Sequence, residues 1–134
     1  MPISRSEAED LGRRYTEAWC SHDPAAVASF YAPDGKITIN DGELSIGRSQ
    51  IAEMAQGFYS GFPDLIVRMD SIRTSGTYCV YQWTLEGTNS GPNGTGNRVV
   101  LSGWEYWHMT DDGLVMESKG HFDAEDFDRQ VAGG

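Results

Sequence analysis

Basic residues are scarce in this chain: 10 Lys and Arg stand against 20 Asp and Glu in 134 residues, a formal charge of −10. Reading a phosphate backbone needs clustered cations, and these ten are scattered, so no nucleic-acid partner is expected. No apolar run approaches the roughly 20 residues that cross a bilayer as a helix, so no membrane association is expected either. The opening MPISRSEAEDLGRR has no apolar stretch after its first basic residue, which predicts no secretory signal and a cytoplasmic location. Cysteine is limited to Cys20 and Cys79. A reducing compartment would keep both as small buried hydrophobes without chemistry. The length suits one domain, 1–134, with one core and one pocket.

What is present is a change of period along the chain. Ser4 with Glu7 and Ser6 with Glu9 both read as capping boxes before Leu11, Tyr15, Ala18 and Trp19, predicting a first helix from about Ser6 to Cys20. Asp23 as N-cap and Pro24 at the first helical position start a second, which packs Val27, Phe30 and Tyr31 inward and ends near Ala32-Pro33. Lys36 to Ile39 alternate as a short strand before the turn Asn40-Asp41-Gly42, and a small hairpin is expected there. Ser49 can cap a third helix carrying Ile51, Met54, Ala55 and Phe58 until Gly61-Phe62-Pro63-Asp64 stops it.

Beyond that point alternation takes over. Leu65 to Arg73, Thr77 to Gly87, Arg98 to Met109 and Leu114 to Phe122 read as four successive strands of an antiparallel meander. Ser75-Gly76 and Asp111-Asp112-Gly113 are tight turns, and Thr88 to Asn97 is a Gly-rich hairpin tip. Asp123 can cap a last amphipathic helix, Ala124 to Val131, whose Phe127 and Val131 close one end of the pocket. Helices followed by a meander give an α+β fold in which helices cover one face of a bent sheet and leave a cavity. Counting by twos puts Gly103, Glu105 and Trp107 on one face of their strand, and Trp104, Tyr106 and His108 on the other. One face lines the cavity. The other is too aromatic to leave in water, so a homodimer through the outer face of the sheet is expected.

Several segments resemble the SnoaL-like polyketide cyclase family of the nuclear-transport-factor-2-like superfamily. They are Arg14-Tyr15, Asp23, Phe30-Tyr-Ala-Pro-Asp34, Phe62-Pro-Asp-Leu65, Trp83-Thr-Leu-Glu-Gly-Thr88, Gly96 with Val99, Gly103 with an acidic residue two places on, and Phe122-Asp123-Ala124. The chain is more distantly similar to ketosteroid isomerase. The resemblance implies the cystatin-like cone, a curved antiparallel sheet wrapped by N-terminal helices around an apolar pocket. Isomerases, cyclases, hydratases, hydrolases and binding modules share that cone, so the fold does not choose among them. It implies that Tyr15 matches the isomerase tyrosine that donates to the substrate oxygen, and that Glu105 stands where the isomerase has a protonated aspartic acid. It also implies two departures. The isomerase general-base position is Ile39, and the cyclase acid/base position on the last strand is Gly120.

Four residues are therefore candidates for chemistry. Glu105 among Trp83, Trp107 and Tyr81 would be poorly solvated, with a raised pKa suited to donating a proton. Tyr15 would polarise a carbonyl beside it. Asp41 replaces the missing base only if the register slips, and His121 replaces the missing strand aspartate only if a bulge turns it inward. The structural alternatives are a Glu105 tied up by Arg48, Arg98 or a tyrosine hydroxyl, a solvent-facing His121, and a Tyr15 and Trp19 that serve only as core. Trp19, Phe58, Tyr59, Phe62, Tyr81, Trp83 and Trp107 are the expected apolar wall, with Ser118 as a further polar anchor. His22, His108 and His121 show no ligand spacing with carboxylates, so no metal is expected, and no cofactor. The expectation is a cofactor-independent isomerase, cyclase or hydrolase acting on a small hydrophobic carbonyl-containing or polycyclic compound. The alternatives are a non-catalytic binding module for a hydrophobic metabolite and a structural dimerisation domain.

Overall fold

The computed structural model describes residues 2–133. Its elements run α1 (Arg5–Cys20), α2 (Pro24–Ala28), β1 (Tyr31–Ile39), β2 (Ser45–Ile46), α3 (Gly47–Gly61), β3 (Ile66–Ser75), β4 (Tyr78–Thr88), β5 (Arg98–Met109), β6 (Val115–Phe122) and α4 (Ala124–Ala132). The strands form one curved sheet in the order β2-β1-β6-β5-β4-β3, an α+β cone. Among the described residues no helix is long and apolar enough to cross a membrane.

Of the two possible capping boxes, the chain uses the first. Ser4 Oγ accepts from Glu7 N at 3.1 Å while Ser4 N donates to Glu7 Oε1 at 3.0 Å, and Leu11, Tyr15, Ala18 and Trp19 are buried along one face. Asp23 caps α2 as expected, with its Oδ1 accepting from Ala25 N at 3.0 Å, but the helix stops at Ala28. Tyr31 and Ala32 belong instead to β1. Val115 N donates to Phe30 O at 2.9 Å, and Pro33 cannot continue a helix, so sheet pairing takes over there. β1 runs parallel to β6, which joins the helical half to the meander within one sheet. The small hairpin is β1 with β2.

α3 begins two residues before Ser49, at Gly47, with Ile46 in the cap position and no side-chain cap. Its start is satisfied differently, by Ile46 N donating to Gln50 Oε1 at 2.9 Å. Cys79 is buried, but Cys20 is exposed. It ends α1 beside β3, where its Sγ lies 3.1 Å from Val67 O and 3.3 Å from Val67 N. The ladder shifts between Met69 and Ser71 of β3, between His108 and Met109 of β5, and between Tyr31 and Lys36 of β1. Such irregularities increase local bend and twist, and here they curve the sheet around its inner face.

Candidate functional site

The inner face carries two rows of side chains that lie side by side across the strands. In the first, Ile39 of β1 pairs with Gly120 of β6, Gly120 with Glu105 of β5, and Glu105 with Tyr81 of β4. In the second, Trp83 of β4 pairs with Gly103 of β5, and Gly103 with Phe122 of β6. Each row contains one glycine, and the two glycines do different things. A Cβ on Gly103 would lie 2.6 Å from the Trp83 ring and 2.3 Å from His121 O, so this glycine lets Trp83 lie flat across β5. A Cβ on Gly120 would meet nothing closer than 3.7 Å. The space above Gly120 would take a methyl group in ordinary van der Waals contact.

That space is part of a cavity of about 50 Å³. Trp19 of α1 and Met54 and Phe58 of α3 form its roof. Ile37, Ile39, Val67, Tyr81, Trp83, Leu85, Leu101, Gly120 and Phe122 of the strands form its floor and sides, and Phe127 of α4 completes the lining. Among the described residues Glu105 is the one carboxyl-bearing side chain in the lining.

Glu105 is 7% exposed and its carboxyl group is surrounded by neutral donors. Oε1 accepts from Trp107 Nε1 at 2.9 Å, Ser118 Oγ at 2.8 Å, Tyr15 Oη at 3.0 Å and Tyr31 Oη at 3.3 Å. Oε2 has Tyr15 at 3.2 Å, and Tyr15 and Tyr31 hydroxyls are 3.0 Å apart. Arg48 Nε donates instead to Tyr31 O at 2.9 Å, and Arg98 pairs with Glu86 at 3.4 Å. The carboxyl is thus held by tyrosines, tryptophan and serine, with no cation against it among the described residues.

Burial pushes the Glu105 carboxyl above the usual carboxylate range, and the hydrogen bonds from Trp107, Ser118, Tyr15 and Tyr31 offset part of that rise. The same burial, with the nearby Glu105 charge, pushes the Tyr15 and Tyr31 phenols well above their ordinary value. Both phenols stay protonated over the working pH range and act as donors.

The predicted residues separate into four groups. Trp19, Phe58, Tyr81, Trp83 and Glu105 border the cavity. Tyr15, Trp107 and Ser118 lie behind Glu105, fully buried. Tyr15 packs edge-on against Trp107 at 5.0 Å and Tyr81 at 5.4 Å, and Trp107 stacks on Tyr81 at 5.0 Å. These three orient the carboxyl without forming the wall. Tyr59 and Phe62 are buried away from the lining. Tyr59 Oη donates to Trp19 O at 2.7 Å with its ring stacked on His22, and Phe62 packs on Phe127.

Asp41 and His121 are not brought to the cavity. Asp41 is exposed in the turn after β1, at φ 56°, while Asn40 Oδ1 accepts from Phe122 N at 2.9 Å and holds that turn outside. His121 pairs opposite Trp104 in unshifted register, its ring 5.3 Å away on the outer face. His108 likewise stacks on Tyr78 at 4.7 Å. Ile37, Val67, Leu85, Leu101 and Phe122 of the strands also line the cavity, a role the sequence reading does not assign them. Their signal was the same alternation that marked Glu105, followed onto the neighbouring strands.

A family model described as a SnoaL-like domain matches residues 12–118. A structure from Jannaschia, named as a SnoaL-like polyketide cyclase, superposes with a TM-score of 0.85 at 17% identity, covering 100% of this chain and 96% of that one. A protein of ketosteroid isomerase-like fold from Catenulispora acidiphila, in complex with trimethylamine, superposes with a TM-score of 0.82 at 14% identity and 92% coverage of both chains. The AclR protein of Streptomyces galilaeus, named as a hydroxylase, gives a TM-score of 0.82 at 21% identity, covering 98% of this chain and 84% of that one. At these identities the likeness is one of fold. No curated protein matches this chain.

Proposed function

The chain belongs to the SnoaL-like domain family, and on that premise we propose that its cavity binds a small uncharged apolar molecule bearing one acceptor oxygen, anchored by the neutral carboxyl of Glu105. The observation that carries this reading is the uneven crowding of that carboxyl. Four donors converge on Oε1, which suits the carbonyl oxygen of a neutral acid, and Oε2 keeps room for the proton. A protonated acid in an apolar pocket is a hydrogen-bond donor. A ligand oxygen beside it completes the network.

Acid–base turnover of the isomerase, cyclase or hydrolase kind asks for more. It needs a group that accepts a proton as well as one that gives it, and in the row Ile39–Gly120–Glu105–Tyr81 the other titratable side chain is the Tyr81 phenol, which burial pushes up and keeps protonated. An enzyme built here would use Glu105 alone in both roles. Binding without turnover is the better supported function, and a purely structural role fits less well because side chains do not fill the cavity.

A second reading rests on the aromatic lining and the uncharged surroundings of Glu105. Trp19, Phe58, Tyr81 and Trp83 offer ring faces of the kind that hold methylated ammonium groups, and the Catenulispora protein holds trimethylamine. In this reading an ionised Glu105 is the counter-ion. The sign of a pH titration separates the two. Affinity for cyclohexanone is expected to fall about tenfold, roughly the worth of one buried hydrogen bond, as pH rises through the elevated pKa of Glu105. Glu105→Gln should flatten that profile and keep the affinity. Tetramethylammonium would show the opposite slope, and a rise in its affinity with pH, alongside indifference to cyclohexanone, would replace the first reading by the second.

We further propose that the outer face of the sheet joins two copies of the chain. Tyr78, Trp104 and Tyr106 are 40%, 45% and 41% exposed there, beside Val100 at 45%. Tyr78 packs on Tyr106 at 5.4 Å, and Trp104 lies against His121 at 5.3 Å on the same face. Sedimentation equilibrium should show a dimer, and Trp104→Asp should raise its dissociation constant at least about 30-fold, as expected for losing a hot-spot aromatic. A monomeric wild-type protein at tens of micromolar would refute the dimer.

A further inference from the structure

The cavity, at about 50 Å³, is smaller than the roughly 150 Å³ of an apolar cavity that takes up benzene. A ring-bearing ligand therefore needs one wall to move. The sheet is tied by its ladder, and α1 and α3 each bury several side chains. α4 is the exception. None of its residues is buried, and among the described residues no backbone-to-backbone hydrogen bond joins it to another element. Its Phe127 forms part of the cavity wall between Phe62 at 5.9 Å and Phe122 at 5.7 Å.

The attachments of α4 lie mainly at its far end. Gln130 Nε2 donates to Val100 O at 2.9 Å and Val100 N donates to Gln130 Oε1 at 2.8 Å. Val131 O accepts from Asn97 Nδ2 at 2.9 Å and Thr95 Oγ1 at 2.5 Å. Val100 is available for this because β6 ends at Phe122, opposite Gly103, so β6 does not reach the preceding residues of β5. At the near end α4 follows β6 directly through its cap, Asp123. We propose that α4 is the door of the cavity. It swings on Asp123, the amide pair of Gln130 with Val100 is its latch, and Phe127 is the plug that sets the size of ligand admitted. This inference rests on the pocket reading above.

The test uses N-phenyl-1-naphthylamine, an uncharged fluorophore too large for a space of about 50 Å³, in stopped-flow binding to the full chain. Gln130→Ala removes the latch without touching the cavity wall. It should raise the association rate and the affinity together, about tenfold for two lost hydrogen bonds, and leave the dissociation rate unchanged, because only the open fraction grows. Phe127→Ala should raise affinity for the dye and for benzene by enlarging the cavity. Binding of the dye to wild type with no change of rate in Gln130→Ala would overturn the door and leave the pocket standing. Failure of wild type and both variants to bind dye, benzene or cyclohexanone would remove the pocket and the door together. Should Phe127→Ala not fold, hydrogen exchange of the unaltered protein decides: α4 amides as slow as those of α1 would overturn the proposal.

Discussion

Trp107→Ala is expected to cost about 3–5 kcal/mol, the range for removing a fully buried large aromatic, and to bring the domain close to unfolding, since whole domains are stable by only about 5–15 kcal/mol. Trp107 is 0% exposed. Its ring is stacked on Tyr81 and meets Tyr15 edge-on, both at 5.0 Å, so its removal takes a packing partner from two other buried rings. Its Nε1 also donates to Glu105 at 2.9 Å, so the variant loses one of the bonds that fix the carboxyl. Urea denaturation followed by far-ultraviolet circular dichroism checks the cost through the transition midpoint. Trp107→Phe keeps most of the packing and loses the donor, and should fall between the two. A loss below about 1 kcal/mol in the alanine variant, typical of surface sites, would mean that Trp107 does not hold up this wall.

Glu105→Ala is expected to destabilise by about 3 kcal/mol at neutral pH. It leaves the Trp107 and Ser118 donors buried without an acceptor, at about 1–3 kcal/mol each, while Tyr15 and Tyr31 still have each other at 3.0 Å. Glu105→Gln keeps an oxygen at Oε1 for the same donors and should stay within about 1 kcal/mol of wild type, the net worth of one hydrogen bond. The two variants therefore separate hydrogen bonding from charge. The pH dependence adds the sign. The folded-state pKa of Glu105 is raised above its unfolded value, so between those two values the folded protein binds more protons than the unfolded chain. Stability from this group is complete below the unfolded pKa and is lost as pH rises through the folded one. Wild type should lose stability across that window relative to Glu105→Gln. Parallel stability–pH curves for the two proteins would show that Glu105 is not held in its neutral form.

Both predictions bear on the same few residues, and those residues were unequally visible in the amino-acid sequence. Alternation along β5 already set Glu105 and Trp107 on the face opposite Trp104 and Tyr106, because side chains of a strand change sides at every residue. Helical spacing put Tyr15 and Trp19 together. Local pattern failed where long-range pairing competed with it. Tyr31 reads as the last inward residue of α2, yet β6 recruits it into β1, and its hydroxyl becomes part of the Glu105 network. Ser49 reads as a cap, yet α3 starts two residues earlier because Gln50 supplies the acceptor.

Sequence by itself determined the order of helices and strands, which side of each late strand faces inward, and the absence of a carboxylate at positions 39 and 120. Each of these is a local property, set by periodicity or by residue identity. Tertiary structure alone decided that Trp107 and Ser118 serve Glu105 from behind and not the cavity, that Tyr59 turns to Trp19 O, and that Phe127 but not Val131 of the last helix lines the space. Those outcomes depend on cross-strand register and on how helices seat against a curved sheet, and a pairing between residues 13 to 90 positions apart leaves no trace in the periodicity of either segment.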